Sequence, residues 1–115
     1  MTHYMNLNSK PFRLMKEGRK TIELRLNDEK RQKIKVGDVI VFTENTSDRA
    51  QLAVRVIGLH GFSNFEQLYK ELPLTKCGYL PEELQSASPE DMEEYYSEEK
   101  QRAYGVLGIE IEVMP

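Results

Sequence analysis

The chain has 115 residues, 39% hydrophobic and 30% charged, with a formal net charge of −3. That is the size and balance of one globular domain spanning residues 1–115, with a modest core, and no apolar run approaches the roughly 20 residues of a membrane span. One cysteine, Cys77, excludes an internal disulfide and points to a reducing, cytoplasmic setting.

In chain order, residues 3–7 read as a short strand. Asn8 or Ser9 then caps a helix with Pro11 in its first turn, Phe12 and Met15 on one face, and Gly18 as its stop. Residues 20–26 alternate: Ile22, Leu24 and Leu26 are apolar, while Thr21, Glu23 and Arg25 are polar. A period of two marks a half-buried strand, which places Glu23 and Arg25 together on its polar face. Asp28–Arg31 suits one helical turn, and Gly37-Asp38 is a turn before an all-apolar strand, Val39–Phe42. The polar residues 43–50 link it, hairpin-fashion, to a strand over 51–59. Ser63-x-x-Glu66 has the form of a capping box, with Phe65, Leu68, Tyr69 and Leu72 on one helical face and Pro73 as the stop. A helical turn is expected near Pro81–Leu84. Ser88-Pro89 opens a last helix with Met92, Tyr95 and Tyr96 inward. Leu107, Ile109, Ile111 and Val113 alternate with smaller or charged residues in a closing strand. Helices interrupting about five strands favour an α+β fold with a mixed, curled sheet over serial βαβ units. Ile22, Leu24, Leu52, Val54, Ile109 and Ile111 are expected to share one core.

Charge divides the chain. Residues 1–60 carry 12 Lys and Arg against 7 Asp and Glu, and residues 61–115 carry 4 against 12. The basic half suits a phosphate-bearing ligand. The overall acidity argues against duplex DNA or any long polynucleotide held by net phosphate neutralisation. His3 and His60 have no ligand spacing between them and there is no cysteine pair, so no metal or other cofactor is expected. His3 falls in a terminus prone to disorder. Cys77 reads as a small, half-buried residue.

Gly18-x-Lys20-x-x-Glu23-x-Arg25 resembles the G-x-K-x-x-E-x-R signature of the ASCH domains, a branch of the PUA-like superfamily. The likeness continues through Leu26-Asn27-Asp28, Val36-Gly37-Asp38 and Tyr104-Gly105-Val106, and so covers nearly the whole chain. It implies a PUA-like pseudo-barrel with peripheral helices, and a cleft that recognises RNA, a nucleotide or a nucleoside through Gly18, Lys20, Thr21, Glu23 and Arg25. Tyr104, at the entry to the last strand, is a candidate for stacking on a base.

The residue types fit that reading. Arg25 offers a planar fork and Lys20 a point charge, while a carboxylate such as Glu23 accepts from an exocyclic amine. An exposed surface pair of Glu23 and Arg25, worth about 0–1 kcal/mol, is the competing explanation. On the polar face Lys20 and Arg25 should each be removable at a cost within about 0.5 kcal/mol.

Two other functions compete. In the first, Lys20 and Glu23 serve as acid and base in a small hydrolase acting on RNA or a modified nucleoside. A related bacterial branch removes acetate from N4-acetylcytidine by a proposed Lys, Thr and acid. Lys20 matches the lysine, but Glu23 stands where the threonine is expected, and Thr21 lies about 7 Å along the strand. In the second, the acidic 88–102 segment is a protein-interaction surface.

Overall fold

The computed structural model describes all 115 residues, Met1–Pro115. Five strands make one sheet: β1 (Thr2–Leu7), β2 (Ile22–Leu26), β3 (Val39–Glu44), β4 (Gln51–Phe62) and β5 (Val106–Val113). Their spatial order is β1-β3-β4-β5-β2, with β1 parallel to β3 and every other neighbouring pair antiparallel. The helices are α1 (Ser9–Lys16), α2 (Phe65–Glu71) and α3 (Glu98–Tyr104). The sheet curls into a half-barrel. Its two end strands return within one side chain of each other, since the Arg25 Nη2 on β2 donates to the Asn6 carbonyl on β1 at 2.7 Å. This is the mixed, curled α+β sheet expected from the order of elements, and the pseudo-barrel implied by the resemblance. No helix is long and apolar enough to cross a membrane.

The core is split, and the split positions the site. On one face of the sheet Met5, Leu7, Ile40, Phe42, Val54, Val56, Leu107, Ile109 and Ile111 pack with Phe12 and Met15 of α1 and with Ile34. On the other face, Ile22, Leu24, Leu26 and Val106 pack with Phe65 and Leu68 of α2 and with Cys77. The single shared core expected for Ile22, Leu24, Leu52, Val54, Ile109 and Ile111 is therefore two cores. Ile22 and Leu24 belong to the second, while the other four belong to the first or pack against it. The cause is β2 itself, which is covered on both faces. Glu23 pairs with Ile109 and Arg25 with Leu107, so these two polar side chains stand at the margin of the larger core. An exposed surface pair is ruled out, because Glu23 is only 3% exposed.

Local structure departs from the expected pattern at several points. The helical turn after β2 sits at Arg31–Lys33, where the Asp28 side chain accepts from both the amide and the guanidinium of Arg31. Asn64, not Ser63, caps α2, accepting from the Gln67 amide at 2.9 Å. Ser88 does cap a turn, Pro89–Met92, but no continuous helix follows. Ser97 starts α3 afresh by accepting from the Lys100 amide, and Tyr95 between them is exposed. The 88–102 segment is thus two capped pieces and not one acidic helix.

His3 is ordered in β1 and 7% exposed, contrary to the expectation for a terminus. Its Nε2 donates to Asp38 Oδ2 at 2.9 Å. That bond, together with the Lys35 amide and the N-terminal ammonium, outweighs desolvation and holds the Asp38 carboxyl at about 2, against an ordinary 3.8. A carboxylate with a depressed folded pKa stabilises the fold above its unfolded pKa and loses that contribution as pH falls through the folded one. Asp38→Asn should therefore lower the urea midpoint at neutral pH and flatten the fall in stability between pH ~4 and ~2. An unchanged acid slope in the variant would assign it to other carboxylates.

Candidate functional site

Gly18 begins the construction of the site. At φ +78° it takes the left-handed conformation that ends α1, with the Arg19 and Lys20 amides both donating to the Leu14 carbonyl. The chain turns sharply there and carries Lys20 inward. The Lys20 side chain then runs beside Gly78, where an added Cβ would lie 3.3 Å from Lys20 Cδ. Gly78 also has a positive φ of +108°, so both its shape and its conformation are suited to letting the lysine stem pass.

Lys20 Nζ meets Glu23 Oε1 at 2.8 Å, and Arg25 Nε meets Glu23 Oε2 at 2.7 Å. One carboxylate is therefore shared between two cations, with side-chain exposures of 9%, 4% and 14% for Lys20, Glu23 and Arg25. Burial alone would raise the Glu23 pKa, but Lys20 and Arg25 outweigh it and keep the carboxyl below its usual range. Burial likewise works against the Arg25 charge, and Glu23 outweighs it, with Tyr96 adding a smaller contribution. The group carries one surplus positive charge.

The three residues form the floor of a cleft of about 600 Å³. Tyr69, Tyr79, Tyr95 and Tyr96 contribute to its walls, while Glu83, Asp91 and Glu94 add carboxylates. One wall has a fixed proton order. Tyr79 donates its only hydroxyl proton to Asp91 Oδ2 at 2.6 Å, so it must accept from Tyr69, 2.6 Å away. Burial, and then the bonds to Asp91 and Tyr69, push the Tyr79 hydroxyl far up; burial raises Tyr69 to about 12. Both stay protonated, and the lone pairs of Tyr69 and Asp91 remain to accept from a ligand. Lys10 is engaged by Glu83 at 2.9 Å. Cys77 also lines the cleft, and burial raises its thiol to about 11 although Lys20 opposes the shift. It is a neutral thiol near pH 7, fully buried where the sequence suggested half-buried.

Of the residues singled out from the sequence, Lys20, Glu23 and Arg25 come together in the cleft. Gly18, Thr21 and Tyr104 are not among its lining residues. Gly18 shapes the approach. Thr21 ties strands through its backbone, donating to the Lys76 carbonyl and accepting from the Ile111 amide. Tyr104 ends α3 and is 41% exposed. Tyr69, Tyr79, Asp91, Tyr96 and Gly78 were not foreseen as site residues. His60 lies in β4, where it bonds to Glu110 at 3.0 Å, and does not line the cleft. No cluster of three or more His, Cys, Asp or Glu side chains is arranged to hold a metal ion.

The family profile described as the ASCH domain matches residues 5–115. The hypothetical protein PH0355, whose crystal structure is known, is 34% identical, with a TM-score of 0.81 over 99% of this chain and all of that one. The solution structure of protein PF0455 from Pyrococcus furiosus is 36% identical, with a TM-score of 0.73 over 99% of this chain and 98% of that one. No curated protein matches the chain significantly.

Proposed function

This chain belongs to the ASCH domain family, and from that premise we propose that it recognises an unpaired nucleobase in the cleft above Lys20, Glu23 and Arg25. The base is carried by a nucleoside, a nucleotide or single-stranded RNA. The observation that carries this reading is the buried floor of two cations on one carboxylate, under walls that include four tyrosines.

Glu23 has the role of a positioning residue. Each of its oxygens is already bonded to a cation, so it orients Lys20 and Arg25 toward the ligand. The remaining donors of Lys20 and Arg25 meet carbonyl or ring-nitrogen acceptors, and the lone pairs of Tyr69 and Asp91 meet N–H donors. A nucleobase edge carries both kinds of group, and its face stacks on tyrosine. The same geometry gives no support to Glu23 as a general acid, because a carboxyl held ionised between two cations has no proton to give near pH 7.

A thermal-shift series with the four nucleosides, their monophosphates and short single-stranded RNAs tests the reading, since a ligand bound only to the native state raises its melting temperature. At least one base should stabilise the protein, and Tyr96→Ala should weaken that ligand about tenfold by removing a base-stacking wall. Unchanged affinity in Tyr96→Ala would remove the cleft as the site. Release of acetate from N4-acetylcytidine by the unmodified protein would place the hydrolase reading first.

A further inference from the structure

A second hollow, of about 260 Å³, adjoins the main cleft and shares Leu14, Gly78 and Tyr79 with it. Its remaining lining residues are Arg19, Thr75, Leu80 and Pro81. Taking the base reading as given, we propose that this hollow is a phosphate subsite, in which Arg19 and the Thr75 hydroxyl hold the phosphate of a nucleotide whose base fills the main cleft.

Charge decides where a phosphate can go. Three cations and four carboxylates line the main cleft. Lys20 and Arg25 share Glu23, and Lys10 is taken by Glu83. Asp91 and Glu94 remain without a cationic partner, so a phosphate placed among them meets like charge. Arg19 is the only charged residue lining the second hollow. Its only ion-pair contact is with Glu17 at 4.0 Å, and its side chain is 56% exposed. The guanidinium keeps its planar set of donors for a phosphate, which it can bind through two oxygens at once.

Chain geometry joins the two hollows. Arg19 and Lys20 are consecutive, and the left-handed Gly18 sends Lys20 to the floor of the cleft while Arg19 lines the neighbouring hollow. Leu14, Gly78 and Tyr79, which line both hollows, form the divide between them. A nucleotide bridging that divide uses both halves of one short segment. The base meets Lys20, and the phosphate meets Arg19. The acids adjacent in sequence, Glu17 and Glu82, limit the gain, so the subsite adds to binding without dominating it.

Calorimetric titrations of each nucleoside against its 5′- and 3′-monophosphate at low salt test the proposal. For the base that binds, one monophosphate should bind about tenfold tighter than the nucleoside, the scale of one charge-assisted Arg–phosphate contact. Added salt should erode that gain. Arg19→Ala should abolish it and leave nucleoside affinity unchanged, and Arg19→Lys should retain part of it. Monophosphates binding no tighter than nucleosides, or a gain that survives Arg19→Ala, would overturn the subsite. Inorganic phosphate alone supplies an arm independent of the base reading. It should shift the backbone amide resonances of Arg19 and of residues 75–80 in the wild type, and not in Arg19→Ala. If those shifts appear and no nucleoside binds, the base reading fails and the phosphate site stands. If nucleosides bind and phosphate produces no such shifts, the subsite fails and the base reading stands.

Discussion

Glu23→Gln should cost the domain about 3–5 kcal/mol, the range seen when one partner of a buried ion pair is removed. Glutamine nearly conserves the volume, so no cavity forms and the loss is electrostatic. A buried cation, Lys20, 8% exposed, and a half-buried one, Arg25, are left facing each other across a neutral amide. Against a typical domain stability of about 5–15 kcal/mol, that is roughly a fifth or more of the total. The urea midpoint should fall while the slope of the transition stays constant. A loss below about 1 kcal/mol would mean that water reaches both cations and screens them as it does surface pairs. The same reasoning revises the expectation that Lys20 could be deleted almost without cost: its removal breaks the same buried network.

The triple variant Lys20→Met, Glu23→Leu, Arg25→Met should regain most of that stability and bind no nucleobase. Burying ions is expensive, and well-packed apolar residues of similar volume often replace a buried ionic group at no cost or with a gain of about 1–4 kcal/mol. Residual loss is expected from one source, the hydrogen bond between Arg25 and the Asn6 carbonyl, which leaves with the guanidinium. The triple variant should thus be more stable than Glu23→Gln by several kcal/mol. Binding should fall below detection, because every donor of the floor is gone. A triple variant no more stable than Glu23→Gln would show that the ionic group holds the barrel together. Binding that persisted would relocate the site.

The alternation of Ile22, Leu24 and Leu26 was enough to find β2 and to set Glu23 and Arg25 on one face. Burial of that second face could not be read from the same pattern. It depends on the curl of the sheet, which brings β1 back toward β2, and that is a long-range consequence of strand order. The tyrosine wall was hidden for a related reason. Tyr69 sits at helical spacing with Phe65 and Leu68, so periodicity assigns it to the core, and it does pack at the edge of that core. It also lines the cleft, where its hydroxyl bonds to Tyr79. Tyr79 and Asp91 lie in an irregular stretch with no period to read, and their partnership across twelve positions is set by the turns at Leu74–Cys77 and Pro89–Met92. A serine followed by two glutamates is a helix start, so the sequence does mark the break at Ser97, but Ser88-Pro89 upstream carries the same signal and the two compete for one segment.

The hydrogen bond from Arg25 to Asn6 also bears on how the molecule avoids its own kind. A five-stranded open sheet ends in two strands whose outward carbonyls and amides could recruit a strand from another copy, the first step of aggregation. On β1, the Tyr4 carbonyl is taken by Lys30 Nζ at 2.8 Å and the Asn6 carbonyl by Arg25 at 2.7 Å. An arriving strand would have to displace both cations from their acceptors and lie against their charge. The guanidinium that furnishes the floor of the cleft therefore also guards the edge of the sheet, and a ligand that drew Arg25 away from Asn6 would leave part of that edge open for as long as it stayed bound.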